Sequence, residues 1–383
     1  MRRWPKVALE DVLSRASEAA VCAPDAEYSE VTIRLWGKGV IIRGKVFGAD
    51  VTTPRRVVRA NQLILSKIDA RNGAIGLVPE ELDGAIVSND FPSFEFVDRT
   101  RFDPAFMGWM VHSRHFVELC KAASEGTTNR VRIKEDRFLA QQIALPPLAE
   151  QQAIVSRLDA LADKVRQVNE HLDAIERDAE RLLRAYIFCP PGETPARKPM
   201  SEFLLLRQPD IRVDPMARYH FAGVYSFGRG VFASVSKDGS EFAYDRLSTV
   251  YAGDFTYPKL MAWEGALGVV PPECDGLVVS PEFPVFTVNT DVVLPEVLHI
   301  HFRTPDVWPQ IAEISGGTNV RRRRVQPSAF LKYEMPVPSM RTQHKIRELY
   351  HRTQTLKNRH ATIRQANDAL IPATLERVFS GID

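Results

Sequence analysis

Apolar residues fall into two long stretches with helical spacing, and the rest of the chain is arranged around them. In 145–188 (LPPLAEQQAIVSRLDALADKVRQVNEHLDAIERDAERLLRAYIF), Ile154, Leu158, Leu161, Val165, Val168, Leu172, Ile175, Ala179 and Leu182 follow one another at steps of four and three. A period of about 3.5 held over about four heptads predicts a coiled-coil helix with that column as its seam. Pro146-Pro147 stops whatever comes before it, and Cys189-Pro190-Pro191-Gly192 ends the helix. About forty residues make a rod of roughly 60 Å, which needs a partner helix along its apolar strip.

The partner lies in the same chain, at 337–379. Pro338, Gln343 and Ile346 stand where Pro146, Gln151 and Ile154 stood, and Leu349, Leu356, Ile363 and Leu370 then recur at every seventh residue. Their companions Thr353, His360 and Asn367 are polar, which predicts a narrower second seam.

What precedes each helix is also repeated. Residues 67–94 (KIDARNGAIGLVPEELDGAIVSNDFPSF) align without a gap on 259–286 (KLMAWEGALGVVPPECDGLVVSPEFPVF), sharing Lys67/Lys259, Gly73/Gly265, Gly76/Gly268, Asp83/Asp275 and Gly84/Gly276. Earlier, Tyr28 and Trp36-Gly37-Lys38-Gly39 parallel Tyr219 and Phe227-Gly228-Arg229-Gly230. Later, Gly126-Thr127-Thr128-Asn129 parallels Gly316-Gly317-Thr318-Asn319. Glycines shared at fixed offsets mean shared backbone turns, so the chain reads as a tandem duplication. Alternating apolar residues in 31–35, 40–46 and 62–68 predict short strands bounded by Gly, Pro and Asp. The stretch 104–119, with Phe106, Trp109, Met110, Phe116 and Leu119 on its apolar side, predicts one or two helices. Each repeat is thus a mixed α/β (α+β) globule followed by a rod.

Composition changes this picture little. The 383 residues, 44% hydrophobic and 26% charged, describe an ordinary globular protein long enough for two or three cores. No run of about eighteen apolar residues exists, and MRRWPKVALEDVL has no apolar signal-like core, so neither a membrane span nor a secretory signal is expected. Four scattered cysteines without a C-x-x-C pair leave structural zinc unsupported and point to reduced thiols in the cytoplasm. A net charge of +2 is neutral about nucleic acid; only local clustering bears on it.

The string Leu145-Pro-Pro-Leu-Ala-Glu-Gln-Gln-Ala-Ile154 opening a long helix resembles the specificity subunit of bacterial type I restriction–modification enzymes. So do the Gly126-Thr-Thr-Asn129 loop and the terminal Leu375-Glu-Arg-Val-Phe-Ser-Gly381. The resemblance covers nearly the whole chain as globule, helix, globule, helix. It implies a first target-recognition domain at 1–144, a spacer helix at 145–189, a second such domain at 190–336 and a second helix at 337–383. It also implies an antiparallel coiled coil, a pseudo-twofold arrangement, and a half-site of double-stranded DNA read by each globule. The helices would dock modification (methyltransferase) subunits, two by expectation, with restriction/translocase subunits joining the complex. S-adenosylmethionine, ATP and magnesium would belong to those partners, and none would bind here directly. The second helix departs from the family pattern, with Met340-Arg-Thr-Gln-His344 in place of Leu-Ala-Glu-Gln-Gln.

Several residues are candidates for the DNA contact. Lys67 and Lys259, each before a Gly-punctuated turn, are placed for a phosphate or base, or are solvated lysines at a strand end. Thr127, Thr128, Asn129 and Arg130, and Thr318 and Asn319 followed by Arg321, Arg322 and Arg323, combine small hydrogen-bonding side chains with cations. A run of arginines is otherwise a solvated charge patch or a helix-docking surface. Arg55 and Arg56 form a weaker basic cluster. Lys38 and Arg229, each between two glycines, reach out from a turn; that G-x-G lacks the third glycine and helix of a dinucleotide site. Trp263 reads as a packed aromatic, and His299 and His301 as core or surface histidines, since no third ligand stands at metal spacing. No phosphate-binding loop, amino-methyltransferase motif, nuclease triad or nucleophile–base pair is present, so no catalysis is expected. The rival readings are a coiled-coil scaffold that binds proteins and a single-chain methyltransferase or nuclease. The first is separated by the salt dependence of DNA binding and the second by methyl transfer without partners.

Overall fold

The computed structural model describes residues 4–126, 131–316 and 323–379. The chain divides into two compact units, Met1–Glu170 with Thr362–Asp383, and His171–Ala361. Both long helices, Leu148–Phe188 and Met340–Phe379, contribute half their length to each unit.

Among its described residues the first unit holds two four-stranded sheets, besides two two-stranded pairs. One runs in the order Leu13–Ala16, Ser93–Phe96, Leu63–Leu65, Ile75–Leu77, antiparallel throughout. The other runs Val40–Phe47, Glu27–Ile33, Ile86–Val87, Arg56–Val57, with one parallel pairing between its middle strands. Leu63-Ile64-Leu65 reads as an uninterrupted apolar run because both of its faces are buried. Leu63 and Leu65 face the phenylalanine-rich core around Phe94, Phe106, Phe116 and Phe138, and Ile64 faces a smaller core with Val31, Val40 and Val58. The predicted helical stretch forms Pro104–Met110 and Arg114–Ala122. Asp103 caps the first by accepting from the Ala105 amide at 2.9 Å, and Ser113 caps the second through the Phe116 amide at 3.2 Å.

The second unit repeats this order. Leu204–Leu206, Val285–Val288, Phe255–Thr256 and Gly268–Val269 form one sheet. Ile211–Arg212, Arg246–Thr249, Val278–Val279, Arg218–Tyr225 and Gly230–Asp238 form the other, again with one parallel pairing in the middle. Its extra edge strand corresponds to a single bridge, Ala19 to Arg56, in the first unit.

Each long helix is fastened to the globule before it by a buried glutamine. Gln151 accepts from the Asp103 amide at 2.9 Å and donates to the carbonyls of Arg101 and Pro146 at 2.9 and 2.8 Å. Gln343 repeats all three bonds with the Leu294 amide and the Val292 and Pro338 carbonyls, at 2.8, 2.9 and 2.9 Å. The divergence at Met340–His344 therefore leaves this contact intact.

The helices pair antiparallel; of the two seam positions expected on the first helix, that of Leu158, Val165 and Leu172 stays inward, and the other is displaced by one residue. Leu158 and Leu172 are buried, and Ile154, Leu161 and Val165 are half-buried, whereas Val168, Ile175 and Leu182 are exposed, the last two by 48% each. The facing positions are instead Val155, Asn169, Glu176 and Leu183. On the second helix Leu349 and Leu356 are half-buried and Ile363 and Leu370 exposed, while Ile346, Thr353, His360 and Leu375 are buried. In the first unit Asn367 Nδ2 donates to Asn169 Oδ1 at 3.0 Å, and Val155 and Leu158 share a core with Leu375 and Phe379. In the second unit His360 Nδ1 lies 2.8 Å from Glu176 Oε1, and Lys357 Nζ 2.6 Å from Glu180 Oε1. At the displaced position the expectation of apolar side chains fails because these polar residues satisfy one another across the seam. The leucine and isoleucine column is left on its flank.

Candidate nucleic-acid interface

In the first unit Lys67 follows the buried strand Leu63–Leu65, and its main chain ties three segments together. Its amide donates to the Asp90 carbonyl at 2.8 Å, and its carbonyl accepts from the Ile133 amide at 2.8 Å. The neighbouring Arg132 pairs with Asp90 at 2.9 Å, and the Lys67 ammonium pairs with Glu135 at 2.9 Å. This knot lies beside the paired short strands Ser124–Glu125 and Arg132–Ile133, which flank 127–130.

The second unit builds the same base. The Lys259 amide donates to the Glu282 carbonyl at 2.9 Å, and its carbonyl accepts from the Val325 amide at 2.8 Å. Arg324 pairs with Glu282 at 3.3 Å, and a bridge joins Gly316 to Arg324. Here the lysine ammonium donates to the Pro281 carbonyl at 2.9 Å rather than to a carboxylate. The pairs Asp90/Arg132 and Glu282/Arg324 were not singled out from the sequence. Their signal is there, as they occupy matching places in the two repeats. Thr127, Thr128, Asn129, Arg130, Thr318, Asn319, Arg321 and Arg322 lie outside the described residues; Arg323 is half-buried at the edge of its loop.

The remaining candidates are scattered. Arg55, one-fifth exposed, holds Glu30 at 3.0 Å and so ties its segment to the strand Glu27–Ile33. Arg56 sits half-buried in the short strand paired with Ile86–Val87. Lys38 and Arg229 are exposed at the tips of the two long hairpins; the Arg229 guanidinium lies 4.6 Å from the centre of the Tyr225 ring. The structure thus brings Lys67 to one loop base and Lys259 to the other, and sets Lys38, Arg55, Arg56 and Arg229 elsewhere.

The histidine pair belongs to the second unit's interior. His301 is buried against Tyr333, whose hydroxyl lies 3.0 Å from its Nε2, and burial pushes its pKa down to about 3. Half-buried His299, approached by the Tyr350 hydroxyl and the Arg303 guanidinium, is pushed down to about 4 by burial and by Arg303. Both rings are neutral at physiological pH. No group of side chains suited to hold a metal occurs among the described residues, and no helix there is long and apolar enough to cross a membrane.

Residues 58–177 match the family described as type I restriction modification DNA specificity domain. The fold is similar to the crystal structure of the HsdS subunit from Thermoanaerobacter tengcongensis, with 19% identity over 99% of this chain and 97% of that one, and a TM-score of 0.57. A chain from a structure titled for complex assembly and conformational transition of the type I R-M system matches over 100% of this chain and 98% of that one. Its identity is 18% and its TM-score 0.63. No curated protein matches the chain.

Proposed function

We infer that this chain is the DNA sequence-recognition subunit of a type I restriction–modification system, with each unit reading one half of a bipartite site. The observation that carries this reading is the doubling. The matched stretch, 58–177, contains one loop base of Lys67, Asp90 and Arg132. Lys259, Glu282 and Arg324 rebuild that base in the second unit, beyond the matched stretch. Affinity comes from basic side chains on phosphates, and specificity from loop residues that reach base edges in the major groove. The target-recognition domains are 1–144 and 190–336, and the helices 145–189 and 337–383 space them.

The chain is non-catalytic in this reading. Methyl transfer and ATP-driven steps, with S-adenosylmethionine, ATP and magnesium, belong to modification and restriction subunits that assemble on it in the cytoplasm. The exposed helix columns support that docking role. Val168, Ile363 and Leu370 in the first unit, and Ile175 and Leu182 in the second, are apolar side chains that the seam leaves uncovered. In an antiparallel pair, residues preceding the seam position on both helices flank one side, so each unit offers a stripe suited to a partner helix. Two stripes fit two modification subunits.

The test is to replace 1–144 by the matching segment of a relative and map methylated positions genome-wide in cells carrying the modification subunit. One half of the methylated motif changes and the other stays. A motif altered in both halves, or not at all, defeats the reading.

A further inference from the structure

The two long hairpins turn in an unusual way, and they do it twice. At one tip Leu35-Trp36-Gly37-Lys38 closes with the Lys38 amide 3.4 Å from the Leu35 carbonyl, and φ is +61° at Trp36 and +67° at Gly37. At the other, Phe227 and Gly228 take φ of +62° and +65°. Two successive positive φ values make the tight hairpin turn whose first place favours Asn, Asp or Gly. A bulky aromatic there is strained, and such strain persists only where the surroundings impose it. They do. The amides of Trp36 and Gly37 donate to the Asn72 and Gly73 carbonyls at 2.9 and 3.1 Å, and those of Phe227 and Gly228 to the Glu264 and Gly265 carbonyls at 2.9 and 3.0 Å. A Cβ on Gly37 would collide with the His112 ring, and one on Gly228 with the Arg303 backbone. The tips are wedged in place, yet the rings they carry are largely exposed: Trp36 by 71% and Phe227 by 63%, the latter touching the Trp308 ring edge-on with centroids 6.1 Å apart.

We propose that Trp36 and Phe227 are rigid aromatic probes that pack against the sugar and base edges of duplex DNA while Lys38 and Arg229 take the adjoining phosphates. This rests on the recognition reading above and adds a contact outside the loop bases. The choice of DNA follows from charge. Lys38 and Arg229 have no carboxylate partner among the described residues, and Arg34 and Arg303 are exposed beside them. At the loop bases, by contrast, Arg132 and Arg324 are already neutralised by Asp90 and Glu282. An exposed ring beside an unpaired cation, held without freedom to lose on binding, suits a stacked, anionic polymer.

The substitution that decides the matter is Trp36→Gly, with Phe227→Gly as its counterpart. Glycine suits the turn better than either aromatic, so a ring kept only for the fold is expendable. In the full chain assembled with its modification subunit, affinity for a random-sequence duplex falls about tenfold for each variant, while the thermal midpoint stays or rises. Trp36→Phe, the ring the second unit uses, restores affinity relative to Trp36→Gly. Lys38→Gln and Arg229→Gln, which leave the turn alone, each lower the salt slope by about one unit. Wild-type complex that binds no duplex overturns the recognition reading and this proposal with it. Wild-type binding that all these variants retain overturns the proposal alone. Glycine variants that keep DNA affinity but shed the modification subunit overturn it in favour of a protein contact.

Discussion

The two units differ most where they are buried and least where their chains turn. The glutamine staples recur bond for bond, and the loop bases and hairpin tips keep matching main-chain bonds, even where the Lys67 ammonium meets Glu135 and that of Lys259 the Pro281 carbonyl. The interiors have been refilled. Leu65 in one core is matched by the buried Tyr257 in the other and, counted from the helix starts Pro104 and Pro295, Met110 by the buried His301. The helix seam is bridged by two asparagines in the first unit and by Glu176 with His360 in the second. Backbone amides and carbonyls demand the same partners whatever side chains surround them, whereas a core needs only volume and satisfied polar atoms. Turn chemistry is therefore the more durable record of the duplication.

The largest effect expected from this contrast is a difference in acid sensitivity. His301 and His299 take up a proton in the unfolded chain near pH 6.5 but resist it when folded, down to about 3 and about 4. Between those values the unfolded state binds more protons, so stability is full above about pH 6.5 and falls as pH falls. By pH 4 the loss is on the order of 3 kcal/mol for His301 and less for half-buried His299. Hydrogen exchange between pH 7 and pH 4 should show the second unit loosening first. Equal loosening in both would show that these histidines do not govern the difference.

Removing a staple comes next, and there the units should agree. Gln151→Ala and Gln343→Ala each leave a buried amide and two carbonyls without their partner, costing about 2–4 kcal/mol. A lower thermal midpoint and faster exchange at the adjoining helix start are the readout. A much smaller effect at Gln343 would mean that its altered surroundings have taken over the role.

The seam gives a finer contrast. Asn169→Leu alone strands the amide of Asn367 and costs about 1–2 kcal/mol, and adding Asn367→Leu recovers most of that while relaxing the register. A double-mutant cycle by chemical denaturation measures the coupling; additive losses would show the two asparagines do not act as a pair. The smallest effect belongs to the helix flanks. Ile175→Glu and Leu182→Glu change stability by no more than about 0.5 kcal/mol, because both side chains already face solvent. Pull-down of the modification subunit should nevertheless weaken sharply, and undiminished capture would remove these residues from the docking surface.

Taken alone, the sequence determined what depends on local backbone. Proline pairs bound the first long helix and Pro338 precedes the second, Gly73 and Gly265 take positive φ in matching turns, and recurring motifs reveal two copies of one globule. It also pointed to the loops whose bases Lys67 and Lys259 anchor. Tertiary structure alone decided which helix column faces inward. An apolar column and a mixed one beside it both fit a heptad, and the choice between them depends on polar groups meeting across the gap. Asn169 meets Asn367 and Glu176 meets His360, pairs far apart in sequence with no local signature. The same holds for the strain at Trp36 and Phe227. A tryptophan or phenylalanine before glycine suggests nothing unusual until the carbonyls of Asn72 and Glu264, brought close by the fold, fix the turn and leave the ring outside.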